Sequence, residues 1–133
     1  MTGDVRLAKL PTMVAAFRMS AVMWNAHRVH FDHQYATEVE GHPGVLVPAN
    51  LLSSYLCEVV MAWGGATSRL VSMTFQTRRP VVVGLEVTAW AREVTRVPDE
   101  AGELVSLEIG IDIADRLTAV TGTAVVRLSA TAF

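Results

Sequence analysis

Residues 17–32 hold His27, His30, Asn25, Asp32, Arg18 and Arg28 within sixteen positions that otherwise read as apolar. Burying polar groups without partners costs about 1–3 kcal/mol each, so this density implies either a hydrogen-bonded turn or a reaction site. An unperturbed imidazole titrates near a pKa of about 6.5, which suits His30 to proton transfer near neutral pH. Asn25 brings both a donor and an acceptor. Each also has a structural reading, Asn25 as a helix cap and His30 as a satisfied turn histidine, and the residues alone leave both open. His27, His30 and His33 recur three residues apart, which hints at a metal. The Arg28 guanidinium among them disfavours a divalent ion, and no metal is expected. Asp32 reads as the N-cap of a following turn, His27 and Arg28 as braces of the loop or of the dimer contact, and His33 and His42 as solvated.

One element is plain. Leu51, Leu52, Tyr55, Leu56, Val59, Val60 and Trp63 recur at helical spacing between Asn50, a good N-cap, and Gly64, a good C′ residue. A helix that apolar belongs in a core, and Cys57 on it reads as a small core residue. Four strands are expected after it, over 67–79, 84–97, 103–115 and 117–130. They are rich in Val, Thr and Ile and are separated by turn chemistry at Pro98–Gly102 and Ala114–Arg116. Within the third, Val105, Leu107, Ile109, Ile111 and Ile113 alternate with Leu104, Ser106, Glu108, Gly110 and Asp112, giving one apolar and one polar face. Residues 13–19 read as a weak strand, 32–36 as a helical turn, Gly41–Gly44 as a break and Val45–Val47 as a short buried strand or extended entry segment. The fold class is α+β, an antiparallel sheet curved around one central apolar helix. It forms a single domain over 1–133, with 1–10 as a loose arm.

The chain has 133 residues, 51% hydrophobic and 18% charged, with a positive mean hydropathy. That excess implies apolar surface covered by another subunit, and a homodimer is expected. A net charge of −2 with no basic stripe excludes the electrostatic footprint of nucleic-acid binding. No stretch reaches the ~18 apolar residues of a membrane span, and no secretory pattern opens the sequence. Cys57, the single cysteine, cannot form an internal disulfide; a reducing, cytoplasmic setting is expected.

Phe17-Arg18-Met19-Ser20-Ala21, Asn25-Ala26-His27-Arg28-Val29-His30-Phe31-Asp32, Tyr35-Ala36 and Pro43-Gly44-Val45-Leu46-Val47 resemble the MaoC-like hydratase/dehydratase family. The nearest branch contains mesaconyl-CoA hydratases and mitochondrial 3-hydroxyacyl thioester dehydratases, and reads F-R-x-S-A, N-x-H-R-I-H-Y-D, Y-A and P-G-L-V-V-H-G. The resemblance implies the hot dog fold. It also implies a site in which an acid and a histidine position the water that adds to an enoyl thioester. The histidine falls on His30 and the acid on Asn25, while the oxyanion donor at the helix start falls on the Ala49 amide. Two departures stand out: Asn25 cannot carry charge, although the nearest branch also has Asn there, and Pro48-Ala49 replaces His-Gly.

Hydration of an enoyl thioester, or the reverse dehydration, is therefore the expected activity, on coenzyme A or acyl carrier protein thioesters. No cofactor is expected beyond the coenzyme A or phosphopantetheine of the substrate itself. Asn50 at the helix start, Arg28 facing a carboxylate and Arg78 facing phosphates are the candidate substrate-binding residues. Glu58 is weighed as a substitute acid. Two rivals stay open. One is a thioesterase, or a tailoring dehydratase, isomerase or cyclase on a larger apolar substrate. The other is a non-catalytic partner subunit of an intact MaoC-like hydratase.

Overall fold

The computed structural model describes residues 3–114 and 117–129. Its elements are β1 (Val5–Lys9), α1 (Met13–Val22), α2 (Ala49–Gly64), β2 (Ser68–Thr77), β3 (Val87–Asp99), β4 (Gly102–Ile113) and β5 (Leu117–Leu128). The strands form one antiparallel sheet in the order β1-β3-β4-β5-β2. A short 3-10 turn (Arg28–His30) and a wider π turn (Tyr35–Val39) lie between α1 and α2.

The expected central helix is α2. All seven apolar positions named for it are buried, and they pack with Val105, Leu107, Ile109 and Ile111 of β4, as the alternation of that strand requires. The opposite face of β4 is polar but not all of it is solvated. Asp112 accepts hydrogen bonds from Arg6 Nη2, Trp90 Nε1 and Thr118 Oγ1 at 2.9–3.0 Å. Gly110 is required beside it, since a methyl group there would collide with the Trp90 ring.

Several boundaries differ from the sequence expectation. Residues 13–19 are helical, not a strand. Thr12 caps α1 by accepting the Ala15 N–H at 3.1 Å, and Ala16 and Ser20, four apart, form its narrow buried stripe. The supposed loose arm contains β1, paired with β3 from Val5–Ala91 to Lys9–Val87, because Val5 and Leu7 alternate onto the core. Helix α2 starts two residues early, at Ala49 rather than Leu51. Pro48 occupies the cap position without a side-chain bond, so Asn50 is not the cap. The positive φ of 76° falls on Gly65 rather than Gly64. Strand β3 begins at Val87 rather than residue 84, where Gly84 instead turns the chain at φ 91°. The expected tight connection at Asp115-Arg116 and the last residue of the expected final strand, Ala130, lie outside the described residues. Val45–Val47 meets the expectation of a short buried segment: the Val47 N–H donates to Val81 O at 2.8 Å and the Val83 N–H to Val45 O at 2.9 Å. Among the described residues no helix is long and apolar enough to cross a membrane.

Candidate active site

The loop between α1 and α2 is organised by its own polar side chains. At the end of α1 the chain reverses through Trp24, at φ 53°, and the Asn25 N–H closes the turn on Ser20 O at 2.9 Å. Asn25 Oδ1 accepts the His27 N–H at 3.1 Å, and His27 Nδ1 accepts the Val29 N–H at 3.2 Å. Val29 is buried, and its carbonyl accepts the Leu46 N–H at 2.9 Å. Asp32 caps the next turn, as expected: Oδ1 accepts the Tyr35 N–H at 3.1 Å, while Oδ2 accepts from Arg28 Nε and Nη2 at 3.1 and 2.9 Å. The Tyr35 N–H first, then the Arg28 guanidinium, holds the Asp32 carboxyl below the usual aspartate range.

This scaffold aligns His30 with the segment before α2. His30 Nδ1 lies 2.9 Å from Leu46 O. A carbonyl can only accept, so Nδ1 carries the proton, and in the neutral ring Nε2 keeps its lone pair. His30 lines a cavity of about 230 Å³ together with Asn25, Ala49 and Asn50. Leu51 and Leu52 both donate to Pro48 O, at 3.0 and 3.2 Å, whereas the Ala49 and Asn50 N–H groups have no backbone acceptor among the described residues. Unpaired N–H groups at the positive end of a sixteen-residue helix suit developing negative charge. Asn25 retains an NH₂ without a partner among the described residues.

Four of the six sequence-named site residues thus share one cavity. Arg28 does not join them: its guanidinium is held by Asp32 and stacks 4.5 Å over the Tyr35 ring. Nor does Arg78, whose Nε donates to Thr121 Oγ1 at 3.2 Å in an open groove along the sheet. Glu58 is tied to Lys9 at 2.7 Å and does not line the cavity. Cys57 is only half-buried. His27 faces Glu40 at 3.4 Å; His42, expected to be solvated, is only partly exposed and faces the same carboxylate at 3.5 Å, while His33 is exposed as expected. The sequence reading missed Thr77, Pro80 and Val81 as cavity walls. The run Pro80-Val81-Val82-Val83 was their signal, since a valine triplet after a proline matches the second apolar segment that Val45–Val47 needed.

The profile of the family described as hydroxyacyl-thioester dehydratase type 2 matches residues 4–83. The chain belongs to that family. The mesaconyl-C(4)-CoA hydratase of Chloroflexus aurantiacus is 39% identical over 66 residues, which is 49% of this chain and 22% of that protein. The mitochondrial hydroxyacyl-thioester dehydratase type 2 of Schizosaccharomyces pombe is 42% identical over 48 residues, 36% of this chain and 16% of that protein. The matches therefore span about a fifth of each curated relative. Among solved structures, the (R)-hydratase from A. caviae involved in PHA biosynthesis superposes with a TM-score of 0.86 at 25% identity, covering 96% of both chains. The family resemblance carried by residues 17–47 is borne out, and the five-stranded sheet curved around α2 is the hot dog fold it implied.

Proposed function

We propose that this hydroxyacyl-thioester dehydratase family member hydrates an enoyl thioester of coenzyme A or acyl carrier protein, or dehydrates the 3-hydroxyacyl thioester. The observation that carries this reading is the single cavity shared by His30, Asn25 and the unpaired Ala49 N–H. In the hydration direction His30 Nε2 takes a proton from water as its oxygen bonds to Cβ. The Cα=Cβ pair shifts toward the thioester carbonyl, whose oxygen takes up negative charge against the Ala49 N–H. Cα then receives a proton as the carbonyl reforms, returning the imidazole to neutrality. The Asn25 NH₂ orients the water or the carbonyl; being neutral, it cannot act as the base. Nothing in these steps calls for a metal or redox cofactor, and coenzyme A or phosphopantetheine enters as part of the substrate.

The experiment is hydration of crotonyl-CoA by the wild-type chain and by His30→Ala. The expected loss is at least about 10²-fold, the low end for general acid–base catalysis. Equal rates would remove His30 from the mechanism.

The working assembly is a homodimer in a reducing, cytoplasmic compartment. Leu10, Val14, Phe17, Val22 and Trp24 crowd exposed apolar surface onto and beside α1, which supports a covered face. A second reading is favoured by one observation: among the described residues no carboxylate lines the His30 cavity, and Asn25 Oδ1 is already committed to the His27 N–H. On that reading the chain is the non-catalytic partner of an intact hydratase subunit. Isolation as an active homodimer counts against it.

A further inference from the structure

Two successive side chains brace the loop that carries His30, each accepting from the N–H two residues on. Asn25 Oδ1 accepts from His27 at 3.1 Å, and His27 Nδ1 accepts from Val29 at 3.2 Å. The first acceptor is an amide oxygen, which does not titrate. The second is an imidazole nitrogen, which accepts only while it carries no proton. Neutral His27 therefore has its proton on Nε2, 3.4 Å from Glu40 Oε1, whereas neutral His30 has its proton on Nδ1, facing Leu46 O. The two rings, with centroids 5.9 Å apart, hold opposite tautomers.

A second proton acts differently on each ring. His30 takes it on Nε2 and keeps its Nδ1–H on Leu46 O, so turnover can cycle that proton without disturbing the turn. His27 can take it only on Nδ1, where the new N–H would meet the Val29 N–H donor to donor. The cap of the Arg28–His30 turn is then lost, and with it the hold on Val29, whose carbonyl accepts from Leu46. Glu40, shared with His42 at 3.5 Å, attracts the charged His27 ring at Nε2 and so does not replace that cap. The Tyr35 ring lies 6.1 Å from the His27 ring and carries Arg28 over it, already paired with Asp32. With 49% of its side chain exposed, His27 is open to protons from solvent.

We propose that His27 is a proton-sensitive positioning residue, holding His30 in place for the hydration step only while its own ring is neutral. The inference rests on the thioester reading above. It adds a second histidine whose protonation stops turnover, although that residue does not line the cavity. Imidazole is the side chain whose charge changes between about pH 5 and 8, so the brace responds to pH in a range where an amide in its place would not.

Asparagine reaches the N–H two residues on without titrating, as Asn25 does. His27→Ala should lower kcat/KM for crotonyl-CoA by up to about 10²-fold, the scale of a misplaced reacting group, and His27→Asn should restore most of that loss. Toward acid, log kcat/KM should fall more steeply in wild type than in His27→Asn, by about one unit of slope for the extra histidine that must be neutral. Should His27→Ala fail to fold, the comparison of wild type with His27→Asn still decides. Nitrogen-15 NMR tests the same brace without turnover. At neutral pH His27 Nδ1 should appear unprotonated. Acidification should cut the protection factor of the Val29 amide by about 2- to 12-fold, one hydrogen bond's worth, in wild type and not in His27→Asn. Equal acid slopes, a protonated Nδ1, or Val29 protection indifferent to pH would each overturn the proposal. Absence of turnover in every variant counts against the thioester reading alone, and the ring and amide signals then decide the proposal by themselves.

Discussion

The Leu46 carbonyl oxygen sits 2.9 Å from His30 Nδ1, so a main-chain group sixteen residues away decides which imidazole nitrogen is basic. Leu46 is itself fixed through its N–H to the Val29 carbonyl, and each segment holds the other. The chemical consequence is a histidine whose proton position is set by backbone geometry.

The tautomer can be observed directly. Neutral His30 should hold its proton on Nδ1 and leave Nε2 bare, the reverse of the usual preference of free imidazole side chains. Nitrogen-15 NMR of the ring, at a pH where it is neutral, should show Nε2 with the shift of an unprotonated nitrogen. A protonated Nε2 would break the link to Leu46.

The Ala49 amide can be removed without dismantling α2. Proline is well tolerated at the first position of a helix, and Pro48 before it already has extended backbone, φ −62° and ψ 144°, which the residue preceding a proline requires. Ala49→Pro should therefore fold with an unchanged helical circular dichroism signal. Its hydration rate should fall by about 10²–10³-fold, the usual loss for one oxyanion donor. An undiminished rate would move the oxyanion contact elsewhere.

Asp32 ties stability to acid. Its carboxyl is held below the usual range by the Tyr35 N–H and then by Arg28, so the folded state binds that proton less readily than the unfolded chain. The contribution is fully present above the ordinary aspartate pKa of about 3.9 and disappears as pH falls through the lower folded value. Thermal melts from pH 6 downward should show Asp32→Asn less stable than wild type at pH 6, with the gap closing below about pH 4. A gap that stays constant would count against the capping role.

Gly110 should not tolerate a side chain. The added methyl of Gly110→Ala runs into the Trp90 ring and the Val120 carbonyl. Overpacking of this kind costs about 1–3 kcal/mol, visible as a lower denaturation midpoint. Gly110→Ala combined with Trp90→Phe should recover part of the loss.

Much of this was legible in the chain. The seven-residue apolar pattern of α2 and the alternation of β4 are periodicities that burial imposes, and they were read correctly. The motif spacing from Phe17 to Val47, continued into the helix start, located His30, Asn25, Ala49 and Asn50, which share a cavity. Where reading failed, the deciding force was not periodic. Helix α1 buries only Ala16 and Ser20 and leaves Val14 and Phe17 exposed, so its hydrophobic pattern does not mark its inner face. Strand β1 is five residues long, and its partner strand begins only at Val87, far along the chain. Arg28 and Arg78 each carry a charge that suits a substrate, but nearer partners, Asp32 and Thr121, hold them.

The strand order β1-β3-β4-β5-β2 puts the first and second strands on opposite rims of the sheet. Everything from Leu10 to Thr67, including the polar residues of the His30 cavity except Thr77, is the strap between those rims. The β3-β4-β5 meander is built from neighbouring hairpins and pays little for chain closure, whereas the strap needs both distant rims in place. Its amides should accordingly gain protection later in refolding than those of β4, as pulse-labelled hydrogen exchange can record. The loop that carries His30 would then be ordered only once the sheet it bridges is complete.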